Sequence, residues 1–316
     1  MIYFDLSGSK NIIKLYFKSS MKSISKNLLL TLFIFLVLIL GFFFIRWSKW
    51  LEYNFIFSYP DPEKLNFAGE KVPILWKNFS VKERFDREYV INSNTLYQFF
   101  LYIKRYPKYI PYIENELKEN DIPDDFKYLA IAESALKEDA ISSAWANGIW
   151  QFMPETAKSY WLQVDKFVDE RNNFEKSTQA AIKHLKKLYK IFWNWTLVAA
   201  AYNRWENGIK RDLNDQKVDS YYDLYLNEET SRYVFRILAI KYLVEEYQSK
   251  KAIFDIFIGS PYTLPEIKTV KVNKIDDIII FAQEYKQTYA TLKNLNPWII
   301  STSLPEWEWF IKILKE

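Results

Sequence analysis

One acidic side chain stands out in this sequence because it lies in an otherwise apolar helical pattern. It is Glu133, in the segment Tyr128-Leu-Ala-Ile-Ala-Glu-Ser-Ala-Leu136. Apolar surroundings disfavour the charged form of a carboxyl group, so its pKa rises and it can hold a proton near neutral pH. A group that is protonated at that pH can serve as a general acid. Glu133 is therefore the candidate catalytic residue, and the chain is predicted to be an enzyme.

The helix that carries Glu133 has a clear start signal. Pro123 suits a first helical position because no amide hydrogen is needed there, and Asp124 and Asp125 place negative charge at the positive end of the helix. Apolar residues lie on both sides of the turns that follow. We therefore expect a helix that runs to about Leu136 and is buried on most of its surface.

Helical patterning extends from about residue 81 to 250, and strand signals are scarce there. The other predicted helices run from Asn94 to Arg105, Pro111 to Asn120, Pro154 to Tyr160, Ser177 to Ile191, Trp195 to Asn203 and Glu228 to Gln248. The small residues Ala199–Ala201 allow another helix to approach closely, which favours a central position. The fold class is mainly α, with the catalytic domain at residues 81–258.

A smaller module is predicted at residues 263–316, where the pattern changes. Thr269–Val272 and Trp307–Ile313 alternate like short strands. Between them, residues 276–284 and 290–295 have the pattern of two short helices. The predicted order of elements in this module is βααβ.

The N-terminal part has the pattern of a membrane anchor. Leu28–Ile45 is uncharged and long enough to cross a bilayer as a helix. The lysines that precede it are Lys10, Lys14, Lys18, Lys22 and Lys26. The positive-inside bias predicts a cytoplasmic tail at residues 1–26, a transmembrane anchor at 27–46 and a catalytic domain that faces the periplasm or cell wall. Residues 47–80 are predicted to be an extended linker, with Trp47 and Trp50 in the outer aromatic belt.

The anchor is predicted to stay attached, because Gly41–Arg46 offers no small-residue cleavage site; removal as a signal peptide is the alternative. Met21 begins a typical signal-anchor opening, so translation could start there instead of at Met1. The chain has no cysteine, which excludes disulfides and a lipid-modified N-terminal cysteine. Any exported location must then be held by the helix.

The composition argues against a disordered chain, a nucleic-acid-binding protein and a metalloprotein. A chain that is 49% hydrophobic and 19% aromatic is too apolar to be disordered. Its net charge of +4 is spread over a surface of mixed sign, which does not favour nucleic acid as a partner. The sole histidine, His184, has no cysteine or cluster of acids beside it, so we predict no metal and no cofactor.

Seven segments occur together in an order and spacing typical of one enzyme family. They are Arg84–Glu88, Ile122–Ala130, Glu133-Ser134, Gly148–Pro154, Asp169–Arg171, Ala201–Asn203 and Asn227–Val234. Through them the chain, from about Phe57 to Gln248, resembles the lytic transglycosylases related to membrane-bound lytic murein transglycosylase D, which have a lysozyme-like helical fold.

The resemblance implies cleavage of the β-1,4 bond between N-acetylmuramic acid (MurNAc) and N-acetylglucosamine (GlcNAc) in peptidoglycan, without water. Glu133 would protonate the departing oxygen and then take the proton of the C6 hydroxyl, which attacks the anomeric carbon and leaves a 1,6-anhydro-MurNAc end. Ordinary glycosidases need two carboxylates. An internal nucleophile that is already in position removes the need for the second one.

The resemblance also assigns five supporting residues. Ser142 matches a serine near polar groups of the substrate, Gln151 and Met153 match residues that line the saccharide subsites, and Tyr202 matches a tyrosine whose hydroxyl lies close to the acid. Asn203 completes the Tyr202 motif. Backbone capping by Ser142 and Gln151, and core packing by Tyr202, are the structural alternatives.

Tryptophans occupy two positions where the family has small residues or glycine. They are Trp145 and Trp205, and either would strain the backbone if its position requires a positive φ. Trp145, Trp150, Trp161 and Trp205 are candidates for stacking on sugar rings, with plain packing as the alternative for each.

The C-terminal module resembles a degenerate LysM domain, which implies glycan binding. The segments that carry this likeness are Thr269-Val270, Phe281–Tyr285 and Leu292–Pro297. The usual Gly-Asp-Thr-Leu turn is absent, and Lys274–Asp277 stands in that region.

The sequence thus predicts a single-pass, membrane-anchored lytic transglycosylase that acts on peptidoglycan glycan strands. Two rivals are a hydrolase of the goose-type lysozyme kind and a non-catalytic scaffold that binds the cell wall. The sequence leaves open endo or exo cleavage, the preferred peptide stems, the oligomeric state and any protein partners.

Overall fold

The structure is a computed structural model, and it describes Lys26 and residues 28–46, 57–74 and 79–315. The chain divides into two compact units, Met1–Ser58 and Tyr59–Glu316. The predicted cytoplasmic tail before Lys26 and the aromatic belt of Trp47 and Trp50 lie outside the described residues.

The first unit contains helix α1 (Leu28–Arg46). Of the helices in the described part of the chain, α1 alone has the length and apolar composition to cross a bilayer, with a mean hydropathy of 3.2. These properties agree with the predicted anchor at residues 27–46. They say nothing of its orientation.

The second unit is mainly helical, which confirms the predicted fold class. Its helices are α2 (Phe79–Asn94), α3 (Leu96–Glu119), α4 (Lys127–Ser134), α5 (Pro154–Ser159), α6 (Phe174–Phe192), α7 (Trp195–Arg204), α8 (Glu206–Gln216), α9 (Glu228–Ser249), α10 (Lys251–Ile258), α11 (Ile278–Glu284) and α12 (Tyr289–Leu295). Its strands are β1 (Asn66–Phe67), β2 (Glu70–Lys71), β3 (Ile267–Val272) and β4 (Trp309–Leu314).

Helices α4 and α7 lie in the core and pack against α9. The side chains of Ala199, Ala200 and Ala201 are fully buried, as their small size predicts. Most of α4 is buried as well, including Lys127, whose ammonium group lies 2.7 Å from Glu114. Paired burial of this kind allows a charged residue inside a core helix.

Helix α3 differs from the prediction, which ended one helix at about Arg105 and began the next at Pro111. It is continuous from Leu96 to Glu119 with Pro107 and Pro111 inside it. Proline removes one backbone hydrogen bond and crowds the preceding turn. One face of α3 buries apolar residues from Phe99 to Leu117, so we attribute the continuity to packing that outweighs this local cost.

Residues 59–74 are also different from the prediction, which placed them in an extended linker. They contain the hairpin β1–β2, in which Asn66 pairs with Lys71 and Phe67 with Glu70, and Leu65 and Phe67 are fully buried. The carboxylate of Glu70 accepts hydrogen bonds from the backbone amides of Trp195 and Thr196, at 2.6 and 2.9 Å. Glu70 thereby caps the N-terminus of α7, a long-range contact that no local pattern could reveal.

The C-terminal module has the predicted βααβ order. Strands β3 and β4 pair antiparallel, from Ile267 opposite Leu314 to Val272 opposite Trp309. The module packs against the loop before α6, because Val168 is fully buried within the module's own apolar cluster. The backbone amide of Asp169 also donates to the carbonyl of Trp298, at 2.8 Å.

Candidate active site

A cavity of about 730 Å³ opens among α4, α5, α6, α7 and α9. The structure brings all six predicted site residues to its wall: Glu133, Ser142, Gln151, Met153, Tyr202 and Asn203. They come from four separate stretches of the chain, so only the fold can place them together. Their shared position is the basis of the candidate site.

Glu133 lies one residue before the end of α4. The helix ends at Ser134 because Ala135 and Leu136 take positive φ angles of 51° and 59°. This is two residues earlier than predicted. The amide of Ala135 still donates to the carbonyl of Ile131, at 2.8 Å, which closes the last turn. The half-buried side chain of Glu133 therefore lies at the end of α4 and lines the cavity.

Burial raises the pKa of Glu133 to about 7. The hydroxyl of Tyr233 donates to its Oε1 atom, and the positive charge of Arg236 acts in the same direction, so both partly oppose the rise. The negative charge of Glu229, which also lines the cavity, adds to it. The balance leaves a carboxyl group that holds a proton near neutral pH, as the sequence predicts.

Ser142 and Gln151 belong to a tight loop whose backbone they stabilise. The hydroxyl of Ser142 accepts from the amide of Ala146, at 3.0 Å. The amide group of Gln151 donates to the carbonyls of Ala140 and Gly148, at 2.9 and 2.8 Å. The structural alternative of backbone capping is thus observed for both residues, although both also line the cavity.

Gly148 and Arg171 hold this loop in place. Gly148 has φ of 81°, and a Cβ atom there would lie 2.0 Å from the carbonyl oxygen of Arg171. The guanidinium of Arg171 donates to the carbonyls of Trp145 and Phe152, at 2.7 and 3.0 Å. The carboxylate of Asp169 forms an ion pair with Arg171 at 2.7 Å. It also accepts a hydrogen bond from the side-chain amide of Asn147, at 2.9 Å. The Asp169–Arg171 motif therefore supports the loop that forms one wall of the cavity.

Tyr202 and Asn203 end α7 at the cavity. The hydroxyl of Tyr202 donates to the carbonyl of Trp150, at 2.8 Å, so the hydroxyl that bonds Glu133 is that of Tyr233 instead. Asn203 donates to Glu229 at 3.1 Å and accepts from Thr230 at 2.9 Å, which ties α7 to α9. Met153 caps α5, where its carbonyl accepts from Ala157.

The four candidate tryptophans separate into two groups. Trp150 is fully buried and donates to Thr178 at 3.0 Å, so its stacking prediction is wrong because no sugar can reach it. Trp145, Trp161 and Trp205 are exposed. Trp145 and Trp205 do adopt positive φ angles, 66° and 70°, and thus meet the condition for strain.

Sequence reasoning missed several groups at the cavity. Tyr233 lies within the family segment Asn227–Val234 but carries no local signal of contact with Glu133. His184 also lines the cavity, and its Nδ1 lies 2.9 Å from the hydroxyl of Tyr160. Burial lowers the pKa of His184 to about 4, so the ring is neutral at pH 7. Within the described residues, no group of three or more His, Cys, Asp or Glu side chains could hold a metal ion.

Two parts of the chain match known domain families. Residues 111–224 match the transglycosylase SLT domain. Residues 268–313 match the C-terminal LysM-like domain of soluble lytic transglycosylases. Every predicted site residue falls within the first match.

Among known proteins, membrane-bound lytic murein transglycosylase D of Escherichia coli strain K12 is 29% identical over 199 residues. The alignment covers 61% of this chain but 43% of that protein, so the chain spans less than half of the relative's length.

Two solved structures are similar in part. The 70 kDa soluble lytic transglycosylase of Escherichia coli is 18% identical, with a TM-score of 0.39, over 62% of this chain and 32% of that one. An inactive variant of the lytic transglycosylase Slt of Pseudomonas aeruginosa is 22% identical, with a TM-score of 0.36, over 44% and 24%.

The domain matches and the sequence relative confirm both the resemblance and the fold class that the sequence predicts. The chain contains a transglycosylase SLT domain of lysozyme-like fold, followed by a LysM-like domain, and it is homologous to membrane-bound lytic murein transglycosylase D.

Proposed function

We propose that this protein is a membrane-anchored lytic transglycosylase that cleaves the MurNAc–GlcNAc bond of peptidoglycan and leaves 1,6-anhydro-MurNAc ends. The observation that carries the proposal is the half-buried Glu133, whose raised pKa and hydrogen bond from Tyr233 suit a general acid at the wall of a large cavity. The domain matches support the substrate class.

The proposed reaction consists of two proton transfers at Glu133 and the exchange of one bond at the anomeric carbon for another. Protonated Glu133 gives its hydrogen to the glycosidic oxygen, and the bond from that oxygen to the anomeric carbon breaks. The C6 hydroxyl oxygen of the same MurNAc then bonds to the anomeric carbon and releases its proton to Glu133. Because the nucleophile belongs to the substrate, no water is consumed and the acid is regenerated.

The supporting residues have proposed roles that follow from their contacts. Ser142 and Gln151 fix the loop that forms one wall, while Met153 and Tyr202 shape the saccharide subsites. Asn203 holds Glu229, whose charge helps keep Glu133 protonated. These contacts would keep the carboxyl group of Glu133 within reach of the glycosidic oxygen that it protonates.

The test is the mass of the products released from purified sacculi by the full chain in detergent micelles. Anhydro ends lack one water relative to hydrolysis products and cannot be reduced by borohydride. The Glu133→Gln variant should bind sacculi but release nothing. Release by that variant at the parent rate would remove Glu133 as the acid, and binding without release by the parent would favour a wall-binding scaffold.

Hydrolysis is the second candidate, and one observation favours it. Three other glutamates line the cavity. Glu155 and Glu206 pair with lysines, whereas Glu229 acts on the pKa of Glu133 and is exposed enough to activate a water molecule. Under that mechanism Glu229→Gln would abolish turnover and the parent products would carry reducible ends. Under the proposed lytic mechanism this variant keeps its anhydro products.

The proposed location is the outer face of the cytoplasmic membrane. The apolar helix α1 and the membrane-bound relative are consistent with anchoring. The lysines before α1 favour an N-terminus that remains in the cytoplasm. The SLT domain would then act on glycan strands close to that membrane.

A further inference from the structure

A second cavity, of about 260 Å³, opens among α2, α3, α4 and α9. Ala132 lines this second cavity, whereas the next residue of α4, Glu133, lines the candidate active site. Among the residues that the structure describes, none lines both cavities. The second cavity is therefore a separate site, which the proposed cleavage does not use.

Two side chains at the second cavity carry a buried polar atom that has no hydrogen-bond partner in the described part of the chain. These atoms are the hydroxyl oxygen of Tyr102 and Oε2 of Glu88. The two residues are only 4% and 0% exposed. A buried polar group without a partner costs free energy, so such groups indicate a place where a ligand supplies the missing bond.

Arg236 gives the second cavity a cation that can still accept an anion. Its guanidinium forms an ion pair with Glu88 at 3.6 Å, which is longer than a hydrogen bond, and its side chain is 33% exposed. Arg232, the other arginine at this cavity, is instead held by Glu88 at 2.5 Å and by Glu228 at 3.3 Å. Because a guanidinium has five donors, Arg236 retains some for a second carboxylate.

Part of the wall of the second cavity is apolar. The apolar side chains that line it are Ile91, Phe99, Ile131, Ala132 and Ile240. A few convergent polar groups beside an apolar wall are typical of a site for a small molecule. A guanidinium and a phenol hydroxyl are both donors that suit a carboxylate. The apolar wall then suits a short hydrocarbon body attached to it.

We propose that the second cavity binds a small organic carboxylate. Its oxygens accept hydrogen bonds from the guanidinium of Arg236 and the hydroxyl of Tyr102, and its hydrocarbon body packs against Ile131 and Ile240. Glu88 stays paired with the two arginines. The bound carboxylate thereby compensates the part of the arginine charge that Glu88 leaves over.

A carboxylate in the second cavity also acts on Glu133, through Arg236. The titratable groups that face Glu133 are Glu229, Tyr233 and Arg236 on α9 and Tyr202 on α7. The positive charge of Arg236 lowers the pKa of Glu133, and an anion bound to Arg236 offsets that charge. Glu133 then stays protonated to higher pH. This consequence for activity rests on the proposed function, whereas the binding itself does not.

The experiment uses isovalerate, a branched five-carbon carboxylate, as the probe. Isovaleramide is the matched control, because it has nearly the same shape and no charge. A ligand-detected NMR titration of the full chain in deuterated detergent micelles at pH 7 gives both Kd values. We expect isovalerate to bind with a Kd of the order of millimolar, and isovaleramide at least roughly 10-fold more weakly.

Three variants locate the binding. Arg236→Gln should raise the Kd of isovalerate at least roughly 10-fold, and Tyr102→Phe roughly 3- to 10-fold. Tyr102→Phe removes a hydroxyl that bonds none of the described residues, so its melting temperature should equal or exceed that of the parent. Arg211→Gln removes a guanidinium that is 66% exposed and does not line the second cavity, so it should leave the Kd unchanged.

The second cavity is not a carboxylate site if isovalerate does not bind, or if isovaleramide binds as tightly. The same conclusion follows if Tyr102→Phe, folded as stably as the parent, keeps the parent Kd. An equal loss of affinity in Arg211→Gln would show attraction to the general surface charge.

The link to Glu133 has its own readout. Saturating isovalerate should move the alkaline fall of muropeptide release to higher pH in the parent and not in Arg236→Gln. An unmoved fall in the parent would remove this link. Because binding is measured without turnover, failure of the proposed cleavage in the sacculus assay is a separate result.

Discussion

The raised pKa of Glu133 makes the fold less stable when the pH rises. In the unfolded chain this carboxyl ionises near its ordinary value of 4.5, whereas in the folded chain it ionises near 7. Below pH 4.5 both states are protonated and there is no penalty. Between these two pH values the carboxyl is ionised in the unfolded chain but still protonated in the folded chain, so the free energy of unfolding falls as the pH rises. Above pH 7 this loss of stability is complete.

Glu133→Gln should therefore stabilise the protein at pH 8 and not at pH 4. The gain at pH 8 is at most about 3 kcal/mol, because the half-buried group is partly solvated. Urea unfolding of the full chain in micelles, followed by tryptophan fluorescence, measures it. As a control, Glu155→Gln changes a side chain that is 82% exposed and should show no such gain. Equal gains at both pH values would mean that ionisation is not the cause.

We predict that Tyr233 sets the pH at which the proposed activity falls. Its hydroxyl donates to Glu133, which favours the charged form of the acid and lowers its pKa. Tyr233→Phe should move the alkaline fall of kcat/KM to higher pH, since that fall reports the acid of the free enzyme. A pH profile of muropeptide release tests this. Tyr202→Phe removes a hydroxyl that bonds the carbonyl of Trp150 and not Glu133, so it should leave the pH of the fall unchanged whatever it does to the size of kcat/KM.

At the scale of elements, the loop around Gly148 depends on one close backbone contact. Its φ is 81°, and any Cβ atom would collide with the carbonyl oxygen of Arg171, a backbone atom that cannot turn aside. Gly148→Ala should cost about 3 kcal/mol or more in unfolding free energy and abolish activity, because the wall formed by residues 142–153 must shift.

Gly69 provides a matched control for Gly148. It has the same φ of 81°, but nothing lies within 4 Å of the position a Cβ atom would take. Gly69→Ala should cost only about 1 kcal/mol, the backbone term alone. Urea unfolding compares the two variants. Equal costs would show that the contact with Arg171 has no part in the effect.

The elements that the sequence predicts well are those whose signals are local. Helix α4 follows Pro123 and two aspartates, α7 carries its run of alanines, and β3 and β4 alternate. The hairpin β1–β2 has no such signal, because its place is set by Glu70 capping α7 far along the chain. Contacts across long separations also explain the missed Tyr233, which lies 100 residues from Glu133.

The candidate site also combines features with a local signal and contacts that are long-range in sequence. Its six predicted residues reach one cavity because they lie in motifs with a known spacing. The individual hydrogen bonds could not be predicted, because they depend on which side chains the fold brings next to each group. Tyr202 bonds the carbonyl of Trp150 and leaves Glu133 to Tyr233. The loop that contains Gln151 is likewise held by Arg171, which lies 20 residues later in the chain and bonds the carbonyls of Trp145 and Phe152.

At the scale of the whole molecule, the LysM-like domain packs against the segment that supports the wall of the cavity. Val168 is buried in that domain's core, while the next residue, Asp169, pairs with the arginine that holds the active-site loop. The ammonium of Lys312 adds an ion pair with Glu175, at 2.6 Å. The position of the domain is therefore coupled to the wall of the cavity through only a few residues.

Orientation in the membrane can be tested cleanly because the chain has no cysteine. Tyr225, which directly follows the SLT match, is 90% exposed, and Lys18 lies before α1. If the lysines hold the N-terminus inside, a membrane-impermeant maleimide should label Tyr225→Cys in spheroplasts and label Lys18→Cys only after lysis. Exchanging the lysines before α1 for glutamine in the Tyr225→Cys chain should reduce its labelling. Labelling of Lys18→Cys in unlysed spheroplasts would reverse the orientation and separate the SLT domain from its proposed substrate.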